Sequence, residues 1–285
     1  MSESPEFIEV KKLRITCPVC GKPDWCGISE DRQVVVCMRV ESGSPTRNGG
    51  WLHRLNDPVP APRKVRRPTP RPTPDRDWHA LACRCANDGI PKLRHLASRL
   101  GVTAASLMRL QAGWYEPMQA YTFPMRDADD NVIGIRLRKD DGSKLCIPGS
   151  KTGLFWPFGV DQADDHPLYL VEGPTDTAAL LDMGLAALGR PSCTGGVELL
   201  IRWLSRQRRD VVIVAGNDLP KDLPGGRRSP GIAGARALAE EVRPLCRDVT
   251  IIKPPGAYKD VRAWARDGAG AEQIVNLVHQ AGAYR

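Results

Sequence analysis

The sequence predicts an α/β chain built on a mostly parallel, helix-covered sheet, preceded by a helical hairpin and an antiparallel meander, with a small metal-stapled module at the N-terminus. Three observations carry this reading. From residue 168 onward short β-rich runs alternate with helical runs, residues 119–148 alternate with period two, and four cysteines crowd into residues 17–37. The length of 285 residues accommodates about two domains. Lys plus Arg number 41 and Asp plus Glu 33, a net charge of +8 with a pI near 9.1, and such a surplus suits a polyanionic partner. Hydrophobic residues at 41% and charged residues at 26% exclude wholesale disorder. No apolar run approaches the roughly 20 residues that span a bilayer, and MSESPEFIEV is acidic where a secretory signal is basic and then apolar. The expected location is the cytoplasm.

Residues 1–56 are turn-rich and too few to bury a core unaided. CPVCG places Cys17 and Cys20 in a knuckle where two thiolates hold one ion, and Cys26 and Cys37 complete a tetrahedral set for one structural zinc, a zinc-ribbon-like arrangement. The spacing Cys-x2-Cys-x5-Cys-x10-Cys splits the second pair, and His53 is a substitute fourth ligand. Trp25, Arg32, Arg39, Trp51 and Arg54 surround the knuckle, a mixture suited to stacking on unpaired bases and gripping phosphates; it equally suits the packing and rim of a tiny domain. His79, Cys83 and Cys85 cannot close a four-ligand site, and with Cys146, Cys193 and Cys246 they read as small hydrophobes and bystanders.

Residues 57–77 form a Pro/Arg-rich linker, extended and semi-rigid, whose Arg63, Lys64, Arg66, Arg67 and Arg71 make a basic stripe that either tracks phosphates or simply keeps the linker solvated. Within residues 78–160, PKLRHLASRLGVTAASLMRL (91–110) has Leu93, Leu96 and Leu100 at helical spacing, a Gly101 stop, and a Thr103 cap restarting a second helix. AYTFPMRD, VIGIRLRKD and SKLCIP then make the meander, turning at DADDN and DG. In residues 161–285 the strands LYLVE, LAALG, VVIVA and DVTII alternate with helices. Ligand sites of such sheets lie beyond the carboxyl ends of the strands, where EGPTD and GND fall. Glu172, Asp176 and Asp218 can therefore converge there on a hard divalent cation such as magnesium. The alternative is that these acids cap helices.

EGPTD after LYLV, the acid-bearing GND, GxxGA from Gly231 to Ala235, and PPGAYKDVRAW resemble the successive motifs of a TOPRIM domain. Residues 119–156, with TFPMRDADDNVIGIRLR, DGSKL and GLFWP, resemble the basic subdomain that precedes TOPRIM in primases. With the cysteine module in front, the order of parts resembles a bacterial-type primase of the kind carried by a phage or other mobile element. The resemblance implies short RNA primers made on single-stranded DNA from nucleoside triphosphates, with magnesium or manganese. It implies that Glu172 acts as metal ligand or general acid/base at the 3′-hydroxyl, that Asp176 closes the same motif, and that Asp218 is the second acid of an Asp-x-Asp pair. Asp260 would join Glu172 and Asp218 around magnesium. Arg138 and Lys144 would hold template and nucleotide, with Arg126, Arg136 and Lys151 assisting. Gly216 stands where the family has the first aspartate of the pair; one-metal catalysis, compensation by Asp222 or Asp260, and loss of catalysis are the three outcomes this departure leaves. The insertion at 219–230 brings Arg227 and Arg228 to the adjoining loop. No GxxxxGK[ST] loop occurs, so a helicase would be a separate partner. A non-catalytic DNA-binding factor of the recombination-mediator kind and a TOPRIM nuclease share parts of the pattern; neither calls for the primase-like basic segment.

Overall fold

The computed structural model describes residues 7–46, 49–55, 76–160, 166–223 and 226–283, and the chain divides into two compact units, Met1–Pro72 and Thr73–Arg285. In the first unit, strands β1 (Phe7–Glu9), β2 (Gly27–Ser29), β3 (Val34–Cys37) and β4 (Trp51–Arg54) form one antiparallel sheet in that order, with the short helix α1 (Val10–Leu13) after β1. Alternation along β3 turns Val35 and Cys37 inward to join Val10, Cys17, Cys26 and Ile28. Half of that buried set is cysteine, so the apolar core by itself is slight. The linker region at 57–75, with its arginines, lies outside the described residues.

The second unit opens with helix α2 (Trp78–Leu100). The Asp77 carboxylate accepts from the Ala80 N–H at 2.8 Å, and Gly101 ends the helix in the left-handed conformation. The expected hairpin starting at Pro91 is thus too short. The helix runs through Pro91, because Leu81, Ala82 and Cys85 continue the buried stripe of Leu93, Leu96 and Leu100 upstream of it; burial along the whole stripe offsets the hydrogen bond that proline deletes. Thr103 caps α3 (Ala104–Arg109) as expected, accepting from the Ser106 N–H at 3.1 Å.

The meander comprises β5 (Gly113–Tyr115), β6 (Ala120–Arg126), β7 (Val132–Arg138) and β8 (Lys144–Cys146), antiparallel in that order. Strand β5 is additional to the expected set. It crosses α2 so closely that a Cβ on Gly113 would lie 2.1 Å from the Cys85 carbonyl oxygen. Gly113→Ala is expected to destabilise the second unit by about 3 kcal/mol, as overpacking against rigid backbone does; a urea midpoint within error of the parent would refute this contact. Cys146, expected as a small hydrophobe, is exposed on β8, the edge strand, whereas Cys85 and Cys246 are buried.

Strands β9 (Leu168–Glu172), β10 (Ala187–Arg190) and β11 (Val211–Val214) follow, with α4 (Pro174–Asp182) and α5 (Val197–Leu204) between them. A hairpin of β12 (Lys221–Leu223) and β13 (Gly226–Arg228), read from sequence as a loop, precedes α6 (Pro230–Val242), β14 (Val249–Ile252), α7 (Val261–Arg266) and α8 (Ala271–Ala283). The sheet order is β10-β9-β11-β14, parallel throughout. Tyr169, Val171, Val212, Val214 and Ile252 face α2, α3, α4, α7 and α8; Leu168, Leu170, Val211 and Ile213 face α5 and α6. The first face gathers residues of α2, α3, β5 and β6 with those of the parallel sheet into one apolar layer. Leu154 and Phe155 also join the two sheets, exchanging backbone hydrogen bonds with Arg126 and Gly189 at 2.8–3.0 Å. From β9 the chain turns to β10 on one side and later returns to β11 on the other. Such a switch opens a crevice between the carboxyl ends of the two strands. Among the described residues no helix is long and apolar enough to cross a membrane.

Candidate active site and metal centre

The crevice is a polar cleft of about 280 Å³. Glu172, the last residue of β9, lines it, and Asp176 follows in the first turn of α4. Asp218 lies four residues beyond the end of β11, in a loop held by Asn217: its backbone N–H donates to the Lys259 carbonyl at 2.7 Å, and its side-chain amide donates to the carbonyls of Pro254, Pro255 and Tyr258 at 2.8, 3.1 and 2.8 Å. Asp260 caps α7, accepting from the Ala263 N–H at 2.8 Å, and its carboxylate also lines the cleft. From the meander, Arg138 at the end of β7 and Lys144 at the start of β8, a cross-strand pair, face the acids. Six residues singled out from sequence therefore share one cleft.

Their electrostatics are set by crowding. Burial, with the Asp260 carboxylate nearby, holds the Asp176 carboxyl well above the usual carboxylate range, while Arg262 acts in the opposite sense. Burial lowers the Arg138 guanidinium, and the like charges of Arg262 and Arg99 add to that. Among the described residues neither Arg138 nor Lys144 has an ion-pair partner. Two cations without carboxylate partners, facing acids across a cleft, suit the phosphates of a ligand bound between them. Glu172, Asp176 and Asp218 line this one cleft, while among the described residues the three or more ligand groups lying within 4.8 Å of one another are the four cysteines. Asp176 Oδ1 lies 4.0 Å from Arg262 Nε.

Arg126 is not part of the cleft. It is buried, its guanidinium donating to Gln111 Oε1 at 2.6 Å and to the carbonyl and carboxylate of Asp130 at 2.9 and 3.0 Å, which ties it to the DADDN turn. Arg136 lines a small adjoining groove with Phe123 and Pro174, its guanidinium 5.9 Å from the centre of the Phe155 ring. Lys151 is exposed and lies outside both linings. The side chains of Asp222, Arg227 and Arg228 fall outside the described residues. Sequence reasoning missed Asn217, Lys259 and Arg262. The last two flank Asp260 in KDVRAW, so their nearness to it was visible; Asn217 carried no signal beyond its place in GND.

In the first unit the Sγ atoms of Cys17, Cys20, Cys26 and Cys37 all lie within 4.8 Å of one another. Four sulfurs about 2.3 Å from one tetrahedral zinc ion are about 3.8 Å apart, and the observed Cys20–Cys26 and Cys26–Cys37 separations are 3.7 and 3.9 Å. Backbone N–H groups of Met38 and Val40 point at Cys26 and Cys37 Sγ from 3.5 and 3.3 Å, the outer-shell support thiolates need. Burial pushes the Cys26 thiol up to about 12. At Cys20 burial also raises the thiol, but hydrogen bonds from Lys22, Cys17, Cys26 and Arg39 outweigh it, bringing it down to about 6. The cluster fits one zinc. His53 is no substitute ligand, because its Nε2 lies 3.0 Å from the Val40 carbonyl oxygen. Arg39 pairs with Asp24 at 2.6 Å and sits over the ring of Trp25, which is 75% exposed.

No family model matches the sequence, and no curated protein matches it. Solved structures do. The chain is similar to the catalytic core of the DnaG primase, with a TM-score of 0.55 at 18% identity over 72% of this chain and 78% of that one. The fold is that of a primase catalytic core. A DnaG primase catalytic domain bound to single-stranded DNA superposes with a TM-score of 0.54 at 17% identity, covering 72% of this chain and 79% of that one. A primase of Aquifex aeolicus comprising zinc-binding and RNA polymerase domains matches 94% of this chain and 78% of its own, with a TM-score of 0.54 at 14% identity. The primase fold thus accounts for the parallel sheet, the meander before it and the cysteine module at the N-terminus.

Proposed function

We propose that the chain is a primase-like nucleotidyltransferase that makes short RNA primers on single-stranded DNA. The observation that carries this reading is the cleft at the sheet's switch point, where Glu172 and Asp218 face Arg138 and Lys144 across the space a phosphate chain would occupy. Hard oxygen donors fit magnesium or manganese, which needs only one or two carboxylates plus substrate phosphates. Such an ion, when bound, neutralises charge on the transferring phosphoryl group.

The chain's own residues do the positioning. Glu172, fixed at the end of a buried strand, would hold the ion beside the 3′-hydroxyl of the growing primer. Asp218 is presented by the Asn217 clamp. Arg138 and Lys144 grip phosphates of template or nucleotide, converting the encounter into a nearly unimolecular step. The cysteine module serves template contact, with exposed Trp25 available for base stacking. A replicative helicase is the natural separate partner.

The test is incorporation of labelled ribonucleotides on varied single-stranded DNA templates with magnesium or manganese. Short products would support the reading, and their absence with every template and metal would sink it. Arg138→Ala is expected to weaken single-strand binding and flatten its log–log salt dependence by about 0.7, the share of one phosphate contact; an unchanged slope would remove that role. A second reading, a DNA-binding factor without turnover, is favoured by one observation. A Cβ at Gly216 would meet only the Lys259 carbonyl at 3.6 Å and Asp218 Oδ2 at 3.8 Å, so backbone packing does not by itself demand the glycine that stands where a further acid would serve catalysis. Tight single-strand binding with no synthesis would select that reading.

A further inference from the structure

We infer that Arg262 is a resident cation of the cleft, taking the place of one of two divalent ions, so that the site binds a single ion through Glu172 and Asp218. The inference rests on the metal-dependent reading above and specifies its stoichiometry. Polymerase-type sites commonly clamp the reacting phosphate between two ions held by carboxylates. Here the acids divide into two sets. Arg262 Nε lies 4.0 Å from Asp176 Oδ1, and its Nη2 lies 4.0 Å from Asp260 Oδ2. Its Nη1 donates to the Leu100 carbonyl at 3.2 Å, anchoring the guanidinium at the end of α2. The Nε is buried without a hydrogen-bond partner, so it serves the neighbouring acids by charge. Asp260 is further committed to capping α7.

Glu172 and Asp218, by contrast, have no ion-pair partner among the described residues. Gly216 supplies no carboxylate beside them, although a Cβ there would meet only ordinary contacts at 3.6 and 3.8 Å. A permanent positive charge, that of Arg262, is present in the same cleft as Glu172 and Asp218. A guanidinium stays charged at any working pH and cannot dissociate. Its single fixed charge offsets one of the two negative charges of Asp176 and Asp260, and Glu172 and Asp218 remain as the one or two carboxylates that a magnesium ion takes alongside substrate phosphates.

The test is a Mn²⁺ titration of the full, zinc-loaded chain, counting bound ions from the loss of the free-ion paramagnetic resonance signal. The wild type is expected to bind one Mn²⁺, Arg262→Met two, Arg262→Lys one, and Glu172→Gln to lose the wild-type ion by at least tenfold in affinity. Zero or two ions in the wild type, or a single ion in Arg262→Met, would overturn the inference. Should Arg262→Met fail to fold by thermal melting, the pair Asp176→Asn and Asp260→Asn decides. Each is expected to leave the single ion within about twofold, and its loss in either would overturn the proposal. Ribonucleotide incorporation by the same proteins separates the two readings. No synthesis with the ion count as expected would refute primer synthesis alone, and synthesis with two wild-type ions would refute the role of Arg262 alone.

Discussion

Glu172→Gln is expected to lower primer synthesis by about 10³-fold, since charge stabilisation by a bound ion is worth several kcal/mol and each 1.36 kcal/mol is tenfold. Single-strand affinity should stay within about twofold. The substitution keeps the shape of a residue exposed at the end of β9, so the sheet beneath it has no reason to change, and the cations proposed to hold DNA, Arg138 and Lys144, belong to the meander rather than to the acid edge. Filter binding and labelled-nucleotide incorporation on the same preparations check both halves. Joint loss of binding and synthesis would mean a folding defect; full synthesis by the variant would remove Glu172 from the chemistry.

Removal of zinc is expected to unfold the first unit while leaving the second intact. Half of the first unit's buried cluster is cysteine, and thiols gathered within 4.8 Å without an ion contribute little beyond their own burial. Structural zinc supplies about 10–16 kcal/mol in comparable small modules near neutral pH, more than any single core substitution. On chelation, or in Cys26→Ser, amides of β3 and β4 should lose hydrogen-exchange protection, whereas those of β9 and β11 should keep theirs. Metal analysis of reduced protein should give one zinc per chain. Protection of β3 that survives chelation would show that the sheet holds without the ion.

Much of the second unit was legible because its elements declare themselves locally. The apolar runs of β9, β11 and β14 alternate with helices long enough to show their period, EGPTD sits where a strand ends, and KDVRAW opens a helix. Short or context-dependent features were not legible. Strand β5 has three residues and exists because Gly113 fits against α2. The first half of α2 lies behind Pro91, a residue that locally signals a helix start. Arg126 resembles its neighbours Arg136 and Arg138 in sequence, and only the Gln111 and Asp130 contacts separate it from them. Cys146 sits among apolar neighbours in the chain but on an edge strand in space.

The sequence by itself determined the order of the elements, the cysteine quartet and which acids and cations could take part, because spacing along a strand or helix is a local property. The tertiary structure alone decided how those groups combine. It set Asp176 and Asp260 against Arg262, left Glu172 and Asp218 without ion partners, and withdrew Arg126 into a turn. The physical reason is that the deciding contacts, Asp176 with Arg262 and Arg126 with Gln111, join residues separated along the chain, and those distances exist only once the sheet and the meander have packed.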